Sequence, residues 1–118
     1  MKIKGETYSV EYQKDDNKIV FSGNLRLQSI ESYDEIINFT MHHAMSTAEP
    51  LILDFTRLEI INSSGIASLG LFLVKLRDSE HNRKIVIYAS KYIQWQAHSL
   101  NDLHELNANL EIVYIVHH

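Results

Sequence analysis

The chain is 118 residues long, with a formal charge of −4, 45% hydrophobic and 22% charged residues, and no cysteine. These values fit one globular domain with one core and exclude disulfide and thiol chemistry. They argue against nucleic acid as a partner, because such proteins usually show a basic face, whereas Arg83-Lys84 is the only adjacent basic pair here.

Residues 7–12 and 18–23 carry β-formers on either side of the polar cluster Lys14-Asp15-Asp16-Asn17, and together they read as a hairpin. Ser32 and Glu35 have capping-box spacing for a helix start. Tyr33, Ile36, Ile37, Thr40, Met41 and Ala44 then lay down a helical stripe to about Thr47, closed by Pro50. His42-His43 is expected on the solvated face of that helix.

Residues 51–55 form a short apolar run, the pattern of a strand buried on both faces in a parallel sheet. A polar corner is expected next, with Ile60 and Ile61 returning to the core. Asn62, Ser63 and Ser64 are preferred helix N-cap types, and Gly65 is small enough to let a partner or a phosphate approach the backbone. The helix they open is expected from about Ser64 to Asp78 and is apolar nearly all round. Leu69, Phe72, Leu73 and Leu76 lie on one side of it, and Leu71 and Val74 on another. Such a helix is deeply buried or meets a second surface, which suggests homodimerisation or partner docking.

Residues 83–89 read as another buried strand. Ser90 can cap a third helix, on which Ile93, Ala97, Leu100 and Leu103 recur at helical spacing, although residues 99–102 could interrupt it. Trp95 lies off that stripe, either packed or as a partner contact. Residues 110–116 supply the last strand. The order β-β-α-β-α-β-α-β predicts a single-domain α/β fold over residues 1–118, with a mixed, mostly parallel sheet of about five strands and helices packed on it.

No stretch reaches the ~20 apolar residues of a membrane span, and residues 1–6 lack the apolar core of a signal peptide. A cytoplasmic protein without a membrane partner is therefore expected. His98 and His104 lack the spacing of a zinc pair, so neither a metal nor a cofactor is expected. A serine hydrolase is disfavoured: the Gly-x-Ser-x-Gly elbow is absent, since Ile61 and Asn62 precede the serine pair. No catalytic residue is assigned.

At the corner the chain resembles the STAS domain, the module of bacterial anti-sigma factor antagonists. The residues that carry the likeness are Leu51-Ile52-Leu53-Asp54, similar to the family's apolar strand ending in aspartate, and Asn62-Ser63-Ser64-Gly65-Ile66, similar to its acidic-Ser-Ser/Thr-Gly-Leu corner. Ile93, Ala97, Leu100 and Leu106 resemble its third-helix pattern. The stretches 23–27 and 31–33 also look like a subgroup of small stand-alone bacterial regulators. The resemblance implies a non-catalytic regulator of transcription and signalling that switches partners. Its corner serine would be phosphorylated by a histidine-kinase-like anti-sigma factor and reset by a phosphatase.

Carried over by position, the phospho-acceptor is Ser64, with Ser63 as the neighbour that could replace it. Asp54, Asn62 and Gly65 support the corner, and Ile66, Leu69 and Phe72 form a partner interface. Asn62 departs from the pattern, because the family usually has an acidic residue there. Beside the resemblance stands the bland reading, in which the serines are only caps and Asp54 only bonds the following turn. Ser64→Asp is expected to weaken partner binding while leaving the thermal midpoint little changed. The alternative reading is a STAS-like ligand- or nucleotide-sensing module, with a pocket near Ser64, Gly65 and the loop after Ala89.

Overall fold

The computed structural model describes residues 1–116; His117-His118 lies outside the described residues. Six strands form one sheet: β1 (Lys2–Lys4), β2 (Tyr8–Gln13), β3 (Lys18–Leu25), β4 (Leu51–Ile61), β5 (Ile85–Ser90) and β6 (Leu110–Ile115). Three helices connect them: α1 (Asp34–Met45), α2 (Ser63–Arg77) and α3 (Gln94–Leu100), the last continuing into a 3-10 segment, Asn101–Leu106. This is the expected single α/β domain, with one strand more than the sequence suggested. The added strand, β1, pairs antiparallel with β2. At three residues it is too short for alternation to register.

The strands lie in the sheet in chain order. The β1-β2-β3 pairings are antiparallel and β3 to β6 are parallel. Each parallel crossover steps one place in the same direction. Crossovers share one hand, so steps of this kind put α1, α2 and α3 on one face. The burial pattern agrees. Ile19, Phe21, Leu51, Leu53, Phe55, Ile85 and Ile87 on that face are at most 1% exposed, whereas Ile52, Asp54, Thr56, Val86 and Tyr88 on the reverse face are half-buried.

Three local expectations are corrected. Ser32 does not cap α1: it sits inside a 3-10 turn, Glu31–Tyr33, and its hydroxyl meets Ser29 Oγ at 3.1 Å. His43 is buried, not solvated, because its ring stacks on Tyr12. Ala97 is exposed, and the core position on α3 is taken by Gln96.

The largest correction concerns β4. The chain makes no polar corner after Phe55; the strand runs eleven residues to Ile61. Two bulges explain why its period breaks. Between the rungs Val20↔Asp54 and Ser22↔Arg57, β4 uses one residue more than β3, and it does so again between Gly23↔Leu58 and Asn24↔Ile60. Pairing with β5 ends at Asp54↔Tyr88. The β4 carbonyls beyond that rung are taken by α3: Gln96 Nε2 donates to Phe55 O at 2.7 Å and Leu58 O at 3.1 Å, and Trp95 Nε1 donates to Glu59 O at 2.7 Å. A buried glutamine thus replaces a strand neighbour as donor, which satisfies backbone that would otherwise be costly to bury.

Candidate functional site

The turn from β4 into α2 is held by one side chain. Asn62 has extended backbone (φ −85°, ψ 176°) and caps the helix by accepting from Gly65 N–H at 3.0 Å. The same Oδ1 accepts from the Tyr33 hydroxyl at 2.6 Å, while Nδ2 donates to Leu27 O at 2.8 Å. Its backbone N–H donates to Leu25 O at 3.0 Å. Tyr33 is 2% exposed; its oxygen accepts from Leu27 N–H at 3.2 Å, and burial raises the phenol above its ordinary pKa, so it stays a donor at neutral pH. The loop before α1, the end of β3 and the start of α2 are therefore tied at one amide. The asparagine supplies both a donor and an acceptor, which a carboxylate cannot do.

Gly65 has a different role from the one expected. A Cβ built there would lie 2.4 Å from Ile61 Cγ1 and 2.9 Å from the Tyr33 hydroxyl oxygen. Its missing side chain makes room for the molecule's own core, and Gly65 is buried. The cavity it lines holds only about 10 Å³ and is walled by core residues such as Phe21, Ile36 and Phe55. No residue of the loop after Ala89 lines that cavity, so the space beside Gly65 is not the pocket a ligand-sensing module was expected to have.

The two serines separate. Ser63 is exposed at the first helical position; Ser64 is half-buried, and its carbonyl accepts from Ser68 Oγ at 2.8 Å. Asn62 caps the third amide of the helix, and Ile66 N–H already bonds Asn62 O. The Ser63 and Ser64 N–H groups, the first two of the helix, have no acceptor among the described residues. The helix end thus presents two free donors and the positive end of its dipole to solvent.

Residues at helical spacing from Ser63 continue as a partly exposed apolar stripe. Ile66, Ala67, Gly70, Leu71 and Val74 form one wall of an apolar groove of about 430 Å³, completed by Ile30, Leu103 and Leu106. Leu71 is 46% exposed and Ile30 40%. The opposite face of α2 is core: Leu69 is 5% exposed and Phe72 is fully buried. Of the three residues expected at an interface, only Ile66 reaches this surface. The two-faced distribution of Leu69, Phe72, Leu73 and Leu76 against Leu71 and Val74 is as the sequence suggested.

Asp54 does not join the corner. It lies on the reverse face of the sheet, where Oδ1 accepts from Thr56 N–H at 2.9 Å and Thr56 Oγ1 at 2.6 Å, and Oδ2 meets Lys18 Nζ at 3.9 Å. These bonds close the first β4 bulge. Among the described residues no cluster of histidine and carboxylate could hold a metal ion, and no helix is long and apolar enough to cross a membrane. Sequence reasoning missed Tyr33, Leu27 and Ile30 as parts of the site, and it could not rank Ser63 above Ser64. The stripe Ser63, Ile66, Ala67, Gly70, Leu71, Val74 was the available signal.

The corner and groove stand on a two-layer α/β domain. No family model and no curated protein matches the chain. Among the solved structures it resembles are three that contain SiaC of Pseudomonas aeruginosa. One structure of SiaC aligns with a TM-score of 0.73 at 17% identity, covering 99% of this chain and 98% of that one. A chain in the crystal structure of the diguanylate cyclase SiaD in complex with its activator SiaC gives 0.72 at 17%, covering 99% of both. The apo form of SiaC gives 0.71 at 17%, with 97% and 96% covered. At this identity the likeness establishes a common fold over the whole chain.

Proposed function

We propose that this chain is a non-catalytic regulatory binding protein of the STAS-like, anti-sigma factor antagonist type, switched by phosphorylation at the start of α2. The observation that carries the reading is the continuity of an exposed hydroxyl with an apolar groove. Ser63 heads the stripe Ile66, Ala67, Gly70, Leu71 and Val74, so a partner element lying along the groove passes the hydroxyl at its end. The exposure favours Ser63 over Ser64 as acceptor, which reverses the order that position alone assigned.

A phosphate adds a charge of about −1.5 to −2. Beside two free N–H groups at a helix start it is stabilised by roughly 0.3–1 kcal/mol, so the fold tolerates it. A partner surface seated on the groove meets a hydrated dianion at its edge, and a clash of about 1.4 kcal/mol is tenfold in affinity. Modification thus releases the partner without unfolding the regulator. The fold-level likeness to SiaC, described as the activator of a diguanylate cyclase and solved in complex with it, supports a protein as the partner. That partner is either such an enzyme or a histidine-kinase-like anti-sigma factor. Asn62, locked by three hydrogen bonds, serves the fold in this scheme and leaves kinase recognition to the serine and the groove.

The test is calorimetric titration of the histidine-kinase-like protein encoded nearest to this chain with wild type, Ser63→Asp and Leu71→Asp. The reading expects tenfold or greater loss in both variants with unchanged thermal midpoints. Equal affinity of all three overturns it.

A further inference from the structure

One buried titratable group lies away from both the corner and the groove. His43 is 5% exposed, and its Nε2 is buried without a hydrogen-bond partner. Its ring stacks on Tyr12 of β2 with centroids 3.7 Å apart and planes 14° from parallel, and Phe39 meets it edge-on at 4.8 Å. Tyr12 is itself fixed: its hydroxyl donates to Asn17 Oδ1 at 2.7 Å, Asn17 Nδ2 donates to Pro50 O at 2.9 Å, and Tyr12 N–H donates to Met1 O at 3.0 Å. The imidazole thus packs the last turn of α1 onto β2 of the N-terminal hairpin.

We infer that His43 is an acid-sensitive joint between α1 and the β2–β3 hairpin, closed when its ring is neutral and opened when Nε2 takes a proton. A proton there creates a donor with no acceptor inside an aromatic stack, and a buried unpaired charge is costly. No hydrogen-bond acceptor meets Nε2: Tyr12 and Phe39 offer it only their rings, and the charges that act on it, those of neighbouring His42 and the Met1 amino group, both disfavour a further proton. Burial first, then these two, lower its pKa below the ordinary value.

The direction of the effect follows. Above the ordinary histidine pKa of about 6.5 both folded and unfolded chains are neutral at this site and the joint is intact. As pH falls through that value the unfolded chain takes the proton first, so stability drops by up to about tenfold in the folding constant per pH unit. The loss levels off once the folded form is protonated too. The joint lies at the opposite end of α1 from Tyr33, and β3 stays hydrogen-bonded to β4, so opening it loosens the last turn of α1 from β2 and leaves the sheet and the corner in place.

Two measurements test the inference. Imidazole NMR titration of the whole protein is expected to show His43 taking its proton only below the ordinary histidine value of about 6.5. A His43 that titrates at or above that value overturns the proposal. Urea unfolding at pH 7.5, 6.5 and 5.5 is then compared for wild type, His43→Phe and His42→Asn. The phenylalanine variant keeps the stack without the proton site and is expected to lose less stability on acidification, while His42→Asn keeps most of the wild-type slope. Equal slopes for wild type and His43→Phe overturn the proposal, whatever the absolute stabilities.

Discussion

Replacing Asn62 by aspartate puts a carboxylate at the N-cap of α2, and the structure predicts that this chain will not accept it without loss. The carboxylate keeps the cap on Gly65 N–H and the bond from Tyr33, since aspartate caps helices as well as asparagine does. It gains roughly 0.3–1 kcal/mol from the helix dipole. Against this, Nδ2 is the donor to Leu27 O at 2.8 Å, and the substitution turns that contact into two facing oxygens. Leaving a part-buried carbonyl without its donor costs about 1–3 kcal/mol. The net expectation is a loss of about 1–2 kcal/mol. In a domain of this size, where each kcal/mol moves the midpoint by roughly 4 °C, Tm falls by about 4–8 °C. Differential scanning calorimetry at neutral pH reads it, with Asn62→Ala as the reference that loses all three side-chain bonds and falls further. An aspartate variant as stable as wild type, or more stable, would refute the claim that this amide is held by donor and acceptor together.

Other variants separate the core from the groove. Gly65→Ala forces a methyl to 2.4 Å from Ile61 Cγ1 and is expected to cost about 1–3 kcal/mol by overpacking, seen as a lower urea midpoint with an unchanged m-value. Phe72→Ala, fully buried, should lose about 3–5 kcal/mol, whereas Leu71→Asp on the other side of α2 should leave urea unfolding within about 0.5 kcal/mol of wild type. Because burial raises the Tyr33 phenol, the unfolded chain gives up that proton first on alkaline titration. Stability at this site is full below the ordinary tyrosine value of about 10 and falls as pH rises past it. Tyr33→Phe should be less stable at neutral pH and should flatten the alkaline slope in far-UV melts.

Much of the architecture was legible because its signals are local and periodic. The apolar runs at 51–55 and 83–89 needed burial on a parallel sheet, and the α2 stripe needed two surfaces. What was hidden depends on partners remote in sequence. The extension of β4 to Ile61 was masked by two bulges that break alternation, and the bulged carbonyls are satisfied by Gln96 and Trp95, 36 to 41 residues away. A glutamine on a helix gives no hint that it is a core donor. The capping-box spacing of Ser32 and Glu35 was overridden because Tyr33 is drawn inward to Asn62, which places the first turn of α1 after it. At the site, the residue types were readable but not their roles. Asn62 reads as a plain N-cap, and only the remote positions of Leu27 and Tyr33 reveal that both ends of its amide are used. Gly65 seemed open to a visitor and is filled by Ile61. The reverse-face position of Asp54 follows from register, which composition does not encode.

The central claim is that a phosphate on the hydroxyl at the head of the groove releases a docked protein. The most direct measurement is residue-level mass spectrometry of the chain after incubation with ATP and a histidine-kinase-like protein of the same organism that binds it, run together with a binding assay on the same sample. The account predicts phosphate on Ser63 and dissociation of the partner in step with it. Phosphate on neither Ser63 nor Ser64, or a phosphorylated chain that stays bound, contradicts it.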